Sequence, residues 1–183
     1  MKSLTGIALL LTMAPTLASA QDKDTQFRVD GYLFIAEGHD PVGFSHDCYP
    51  QCINLHYGIS QAGGGGEVQL LKGLGVDSEF GVMGRPGYPF YTGLFSVNPF
   101  YRFRHASAKT KLVPFADAGY ARAFLNTIFT SHNLFNFGGG IDYWVFRRVG
   151  LRLEFRDYVD HYPYSYGAPS PHYPMFRIGL VLR

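Results

Sequence analysis

The chain has 183 residues, a formal net charge of +2, 16% charged residues, 16% aromatic residues and 22 glycines. That length suits one domain, and the near-neutral charge offers no basic field for nucleic acid. An aromatic and glycine excess with few lysines excludes disorder and favours β structure.

The first twenty residues, "MKSLTGIALLLTMAPTLASA", place Lys2 ahead of an apolar run and end on Ala18-Ser19-Ala20. This is the pattern of a secretory signal peptide over residues 1–20, cut before Gln21, with residues 21–183 as a single exported domain. No other segment approaches the roughly twenty uninterrupted apolar residues that a membrane helix needs. A membrane location would therefore have to be reached with strands.

Period-two segments then follow one another down the chain, at about 27–36, 59–71, 76–83, 93–104, 111–124, 134–145, 151–159 and 173–182. Their even count lets a sheet close with both chain ends on one side. The second, fourth and sixth connections are tight, around Lys72, Ala108 and Arg147. The other connections, at 37–58, 84–92, 125–133 and 160–172, are longer. In an up-and-down meander this alternation puts the short turns and both termini at one rim, as in outer-membrane barrels.

Which face of such strands meets water is not decided locally. In "VGLRLEFRDYV" Leu151, Leu153 and Phe155 alternate with Arg152, Glu154 and Arg156. A soluble sandwich would bury the leucines, whereas a membrane barrel would turn them to lipid. The lysines favour the second reading. After the first twenty residues they are Lys23, Lys72, Lys109 and Lys111, all in the amino-terminal tail or at the short-turn rim, while a soluble β protein scatters lysines over its wet faces. One parity collects an apolar belt including Leu33, Ile35, Phe80, Val82, Phe95, Phe137, Ile178 and Leu180. The other collects Arg28, Arg102, Arg104, Arg152, Arg156 and Arg177 against Asp30, Glu67, Asp77, Glu79, Asp117, Asp142 and Glu154. An eight-stranded barrel has room inside for side chains but not for an aqueous channel. The prediction is a lumen filled by this near-balanced ion-pair network, since a buried ion left alone is costly.

The glycine runs "AGGGGEV" and "FGGGIDY" put glycine on both strand faces, which in a narrow barrel makes room for bulky inward neighbours. A phosphate-binding reading needs a helix directly after the glycines, and "EVQLLKG" is not one. In "SQAGGGGEVQLLKGLGVDSEFG", "VPFADAGYARAF", "FNFGGGIDYWVFRRVGLRLEFRDY" and the final "MFRIGLVLR" the chain resembles small bacterial outer-membrane β-barrel proteins of the OmpA-transmembrane-domain-like or OmpX-like kind. The resemblance covers nearly the whole exported part. It implies an all-β, eight-stranded antiparallel up-and-down transmembrane β-barrel in the bacterial cell outer membrane. It departs from that family at its end, Leu182-Arg183, where an aromatic residue is usual.

Cys48 and Cys52 lie in the longest outer loop as "CYPQC". Export and an even cysteine count favour a disulfide between them. The alternative is a metal site with His46, Asp47 and His56, whose spacing matches no familiar finger. His39, His46, His56, His132, His161 and His172 lie in or beside the outer loops, where solvated decoration is the ordinary role and weak metal binding or pH response the sharper one. The outer loops are also rich in tyrosine, which anchors barrels at the lipid interface and binds partners well. Ser131-His132 and the His39, Asp40, Ser45 group could serve a lipid-modifying enzyme, but neither comes with a surrounding motif. The expected role is structural or surface interaction, with no catalysis and no cofactor. Outer-membrane lipid and lipopolysaccharide are the expected surroundings of a monomer, with a surface ligand at the loops. A lipid-A-modifying enzyme and a small-solute pore are the alternatives.

Overall fold

A computed structural model describes residues 27–40, 57–70, 73–87, 91–103, 111–125, 131–160 and 172–183. Eight strands run in chain order: β1 (Arg28–Asp40), β2 (Tyr57–Gln69), β3 (Leu74–Gly84), β4 (Tyr91–Arg102), β5 (Leu112–Leu125), β6 (Ser131–Trp144), β7 (Val149–Asp160) and β8 (His172–Leu182). Each pairs antiparallel with the next, and β8 returns to β1 through Gly31–Leu182 to Gly38–Met175, closing the barrel. Closure leaves no sheet edge, which lipid would not tolerate.

Burial alternates over long stretches of the strands, as in Leu74–Phe80 of β3 and Val149–Arg156 of β7. In a closed cylinder the buried set faces the lumen. Leu151, Leu153 and Phe155 are exposed on the outer wall, and Arg152, Glu154 and Arg156 are buried inside. The outer wall continues with Leu33, Ile35, Phe80, Phe95, Phe137, Ile141, Ile178 and Leu180, all exposed. Tyr101, Phe103, Tyr143 and Phe146 ring the short-turn end, while Tyr91, Tyr120, Phe124 and Phe176 stand toward the other. An apolar band between aromatic girdles is how such a wall meets a bilayer.

The short-turn rim is tied by backbone bonds. Leu70 donates to the carbonyl of Leu74 at 2.9 Å and Phe146 to that of Val149 at 3.0 Å. Gly73 sits at φ 86°, a left-handed value that suits glycine, and its carbonyl accepts from Arg102 at 2.7 Å. At the opposite rim Gly87 follows Pro86 with φ 85°, as a type II turn requires.

The strands run further outward than the apolar alternation implies. Residues 37–40 read as loop in sequence, but β1 keeps them paired through Asp40–Tyr57, and β6 begins at Ser131 rather than near Leu134. Beyond the apolar band the side-chain pattern loses its cue while the backbone ladder still satisfies its own polar groups.

Ile178 stands on the wall near the middle of β8 and is 51% exposed. Ile178→Arg is expected to destabilise the barrel by about 2–4 kcal/mol in urea unfolding from lipid vesicles, and Ile178→Leu by less than about 1.5. Equal losses for the two would show that this wall does not face hydrocarbon.

Candidate functional site: the filled lumen

The lumen is where the sequence concentrates its ionisable chemistry, and it is organised in layers. Nearest the short-turn rim, Arg102 on β4 reaches three carboxylates: Asp30 on β1 at 3.1 Å, Asp142 on β6 at 3.1 Å, and Glu67 on β2. Arg152 on β7 grips Asp142 with two bonds, Nε to Oδ1 at 2.7 Å and Nη2 to Oδ2 at 3.0 Å, and also reaches Glu67 at 3.1 Å. Paired forks of this kind are the strongest arrangement available to a guanidinium. Its plane also lies 4.7 Å from the Tyr32 ring centre and 4.5 Å from that of Phe115. Arg28 bonds Asp30 at the rim itself, with Nε to Oδ1 at 2.9 Å. Arg183 closes this end, 3.5 Å from Asp30 and 3.9 Å over the ring of Trp144, which Arg28 also approaches at 5.1 Å.

A second cluster fills the middle. Arg177 on β8 makes a bidentate pair with Glu79 on β3, at 2.7 and 2.9 Å, and donates to Gln61 at 3.1 Å and to the Tyr158 hydroxyl. It lies 4.2 Å over the Phe34 ring. Arg156 reaches Glu154 at 2.7 Å, Glu79 at 3.4 Å, and Asp117. The Tyr32 hydroxyl stands 2.8 Å from Asp77 and 3.1 Å from Glu79, so its single proton links the two. Tyr32 can cross the barrel here because Gly65 opposite has no side chain; a Cβ there would come within 2.7 Å of the ring.

Outward of these ions the filling changes character. Ala36, Ile59, Leu94, Ala121, Ala123, Leu134 and Met175 are all buried in one cluster, each within four residues of the outer end of its strand. They form an apolar stopper between the ion layers and the outer mouth. Above it, His132 lies 3.1 Å from Asp160. On the outward face near the same rim, His172 Nδ1 lies 2.7 Å from Asp157 Oδ2.

Arg28, Asp30, Glu67, Asp77, Glu79, Arg102, Asp117, Asp142, Arg152, Glu154, Arg156 and Arg177 are thus brought together, in two linked clusters rather than one. Arg104, Cys48 and Cys52 lie outside the described residues, as do His46, Asp47, His56 and Ser45. His132 is turned to Asp160, and the side chain of Ser131 lies outside what the structure describes. Among the described residues no three His, Cys, Asp or Glu side chains are grouped as a metal site.

Sequence reasoning missed the aromatic and apolar partners. Tyr32, Phe34 and Trp144 share strand parity with Asp30 and Asp142, and that parity was the signal available. It also missed Arg183, which stacks on the ring of Trp144.

No family model matches the sequence, and no curated relative matches it either. Solved structures do match in fold. Neisserial surface protein A (NspA) superposes with a TM-score of 0.59 at 10% identity, over 85% of this chain and 98% of that one. The N-terminal β-barrel domain of Pseudomonas aeruginosa OprF gives 0.56 at 13%, over 86% and 98%. The outer membrane protein OprG of Pseudomonas aeruginosa gives 0.53 at 8%, over 86% and 95%. This is the fold of small outer-membrane β-barrels. At these identities the likeness concerns architecture, so the lumen described above belongs to this chain's own residues.

Removing Arg152 leaves Glu67 and Asp142 facing each other with only Arg102 between. Arg152→Met is expected to lower stability by about 3–5 kcal/mol. Adding Glu67→Gln, which removes the charge left over, is expected to restore a substantial part, read from urea midpoints of gel mobility shift. A double variant that is less stable than the single one would contradict this account of the layer.

Proposed function

We propose that the protein is exported by its amino-terminal signal, resides in the bacterial outer membrane as a monomer among lipopolysaccharide, and serves as an anchored platform whose outer loops contact a ligand. The observation that carries this reading is the combination of a lipid-compatible outer wall with a lumen closed twice over. Ion pairs cross the lumen in two layers, and the buried apolar side chains of Leu94, Ala121, Leu134 and Met175 fill it toward the outer end, where an apolar constriction opposes wetting. A barrel so filled offers its environment only its rims and loops. The wall supports the membrane location, since among the described residues 29 large hydrophobic side chains are exposed, far more than a soluble surface carries as a continuous band.

A lipid-modifying enzyme is the second reading. It is favoured by His172 and Asp157, because an imidazole held through Nδ1 by a carboxylate is how a general base is oriented, and this pair faces outward beside the outer rim. Release of labelled acyl chains from lipid A by the refolded barrel, lost in His172→Ala, would establish it.

Two measurements test the platform reading. Fractionation should place the protein with the outer membrane, and its migration on a detergent gel should change on boiling. In planar bilayers the purified barrel should give no steady conductance above background. Steady single-channel currents in the unmodified protein would replace the platform with a pore.

A further inference from the structure

The two ends of the barrel carry opposite charge. At the short-turn rim the connection at 70–73 reads "LLKG", that at 103–111 reads "FRHASAKTK" and that at 145–148 reads "VFRR". Each brings Lys or Arg, and none brings Asp or Glu. The longer connections at the other end hold Glu37, Asp40, Asp47 and Asp160 against Arg85 alone.

Among the described residues the cations of the short-turn rim follow one arc, from β5 round to β1. Lys111 stands just ahead of β5 and is exposed, and its carbonyl accepts from the amide of Trp144 at 2.9 Å. Arg147 and Arg148, both exposed, occupy the turn between β6 and β7. The carbonyl of Arg148 accepts from the amide of Arg183 at 2.9 Å. Arg183 and, from β1, Arg28 then stand over the same indole of Trp144, at 3.9 and 5.1 Å.

The carboxylates at this end do not cancel the arc. Asp30, Glu67 and Asp142 are all buried, and Asp30 is shared by Arg28, Arg102 and Arg183. One carboxylate leaves three guanidiniums undersupplied, and Arg183 Nη2 has no acceptor at all among the described residues. An α-carboxylate on Arg183 would offset one positive charge of the five. The surface of the arc therefore presents an excess of donors and of positive charge.

What surrounds that surface follows from the rings beside it. Tyr101, Phe103, Tyr143 and Phe146 set this end of the wall at headgroup level. Phe146 is 70% exposed in the same turn as Arg147 and Arg148. A ring that enters the acyl boundary beside cations in the headgroup layer matches a molecule with an apolar tail and an anionic head. A free anion would meet the cations but gain nothing from Phe146.

We propose that this arc is a docking surface for the phosphate headgroups of anionic phospholipid in the leaflet around the short-turn rim. Lys111, Arg147 and Arg148 make the contacts, and Arg28 and Arg183 add positive field from the lumen side. With the short turns on the periplasmic side, that leaflet is the phospholipid one. Binding there fixes the depth at which the rim sits in the bilayer. The inference rests on the membrane-embedded wall and is independent of what the outer loops contact, so it can fail while the platform reading stands.

Refolded into phosphatidylcholine vesicles, the unmodified barrel should immobilise spin-labelled phosphatidylglycerol severalfold more strongly than spin-labelled phosphatidylcholine. The excess should fade as salt rises to about 1 M, where the screening length is about 3 Å. Lys111→Gln with Arg147→Gln and Arg148→Gln touches only exposed side chains, and the folded variant, checked by gel mobility, should lose the excess. Arg147→Gln alone gives the same reading on a smaller scale if the triple variant fails to refold. Arg122→Gln, near the opposite end of β5, should keep the excess. Equal immobilisation of the two lipids by the unmodified barrel, or an excess that survives in the folded triple variant, would overturn the proposal. Cosedimentation with peptidoglycan sacculi without any lipid preference would overturn it too and give this rim to the cell wall.

Discussion

Closure of the sheet is the constraint from which the rest follows. In hydrocarbon every backbone amide and carbonyl needs a partner within the protein, and eight strands meet that need only when β8 returns to β1 along Gly31 to Gly38. Once the cylinder is closed, the pleat sends alternate side chains to lipid and to the lumen with no third choice. The outer set is free to be uniformly apolar. The inner set must fill a narrow space at close to crystalline density, and its chemistry becomes the distinguishing property of the protein.

That inner set solves the filling problem in two ways. Toward the short-turn rim it uses guanidiniums gripped by carboxylates and stacked on rings, as Arg152 is held by Asp142 and Glu67 with Tyr32 and Phe115 alongside. Toward the outer mouth it uses Ile59, Leu94, Leu134 and Met175. The two parts support one another. Apolar and aromatic neighbours lower the local dielectric, which strengthens pairs whose geometry is already favourable. The same seclusion makes any unpaired charge in the middle layer expensive, so charge balance there is a structural requirement.

How much of this could be read in the sequence follows from the periodicity of each feature. The wall was legible because Leu151, Leu153 and Phe155 alternate with Arg152, Glu154 and Arg156, and the lysines are confined to one rim and the tail. The membership of the lumen was legible by the same parity. Its pairing was not, because which arginine meets which carboxylate depends on register across strands far apart in the chain: Arg102 and Glu67 are 35 residues apart, Arg177 and Glu79 are 98 apart. The stopper was illegible for a different reason. Leu94, Ala121 and Leu134 on the lumen parity carry the same residue types as the wall, so composition does not separate them. The outer ends of the strands escaped notice because "EGHD" has no apolar alternation, although its backbone pairs as well as the rest. Asp157 and His172 lie on adjacent strands with a long connection between them, and nothing in the spacing announces their contact.

The placement of glycine ties these levels together. In a wider sheet the run at residues 63–66 would weaken its strand for nothing in return. Here Gly65 gives Tyr32 room to reach Asp77 and Glu79, and Gly119 and Gly138 let Asn98 and Asp117 lie across the inner face of β5 and β6. A missing side chain on one strand is therefore occupied by a long polar one from its neighbour, and the backbone sacrifice is converted into contacts across the barrel. Filling by crossing side chains couples strands that share no backbone hydrogen bond: Arg102 on β4 joins β1, β2 and β6, and Arg177 on β8 joins β3. Such ties span the hollow rather than run round it. A cylinder braced in this way resists flattening and shear by its contents.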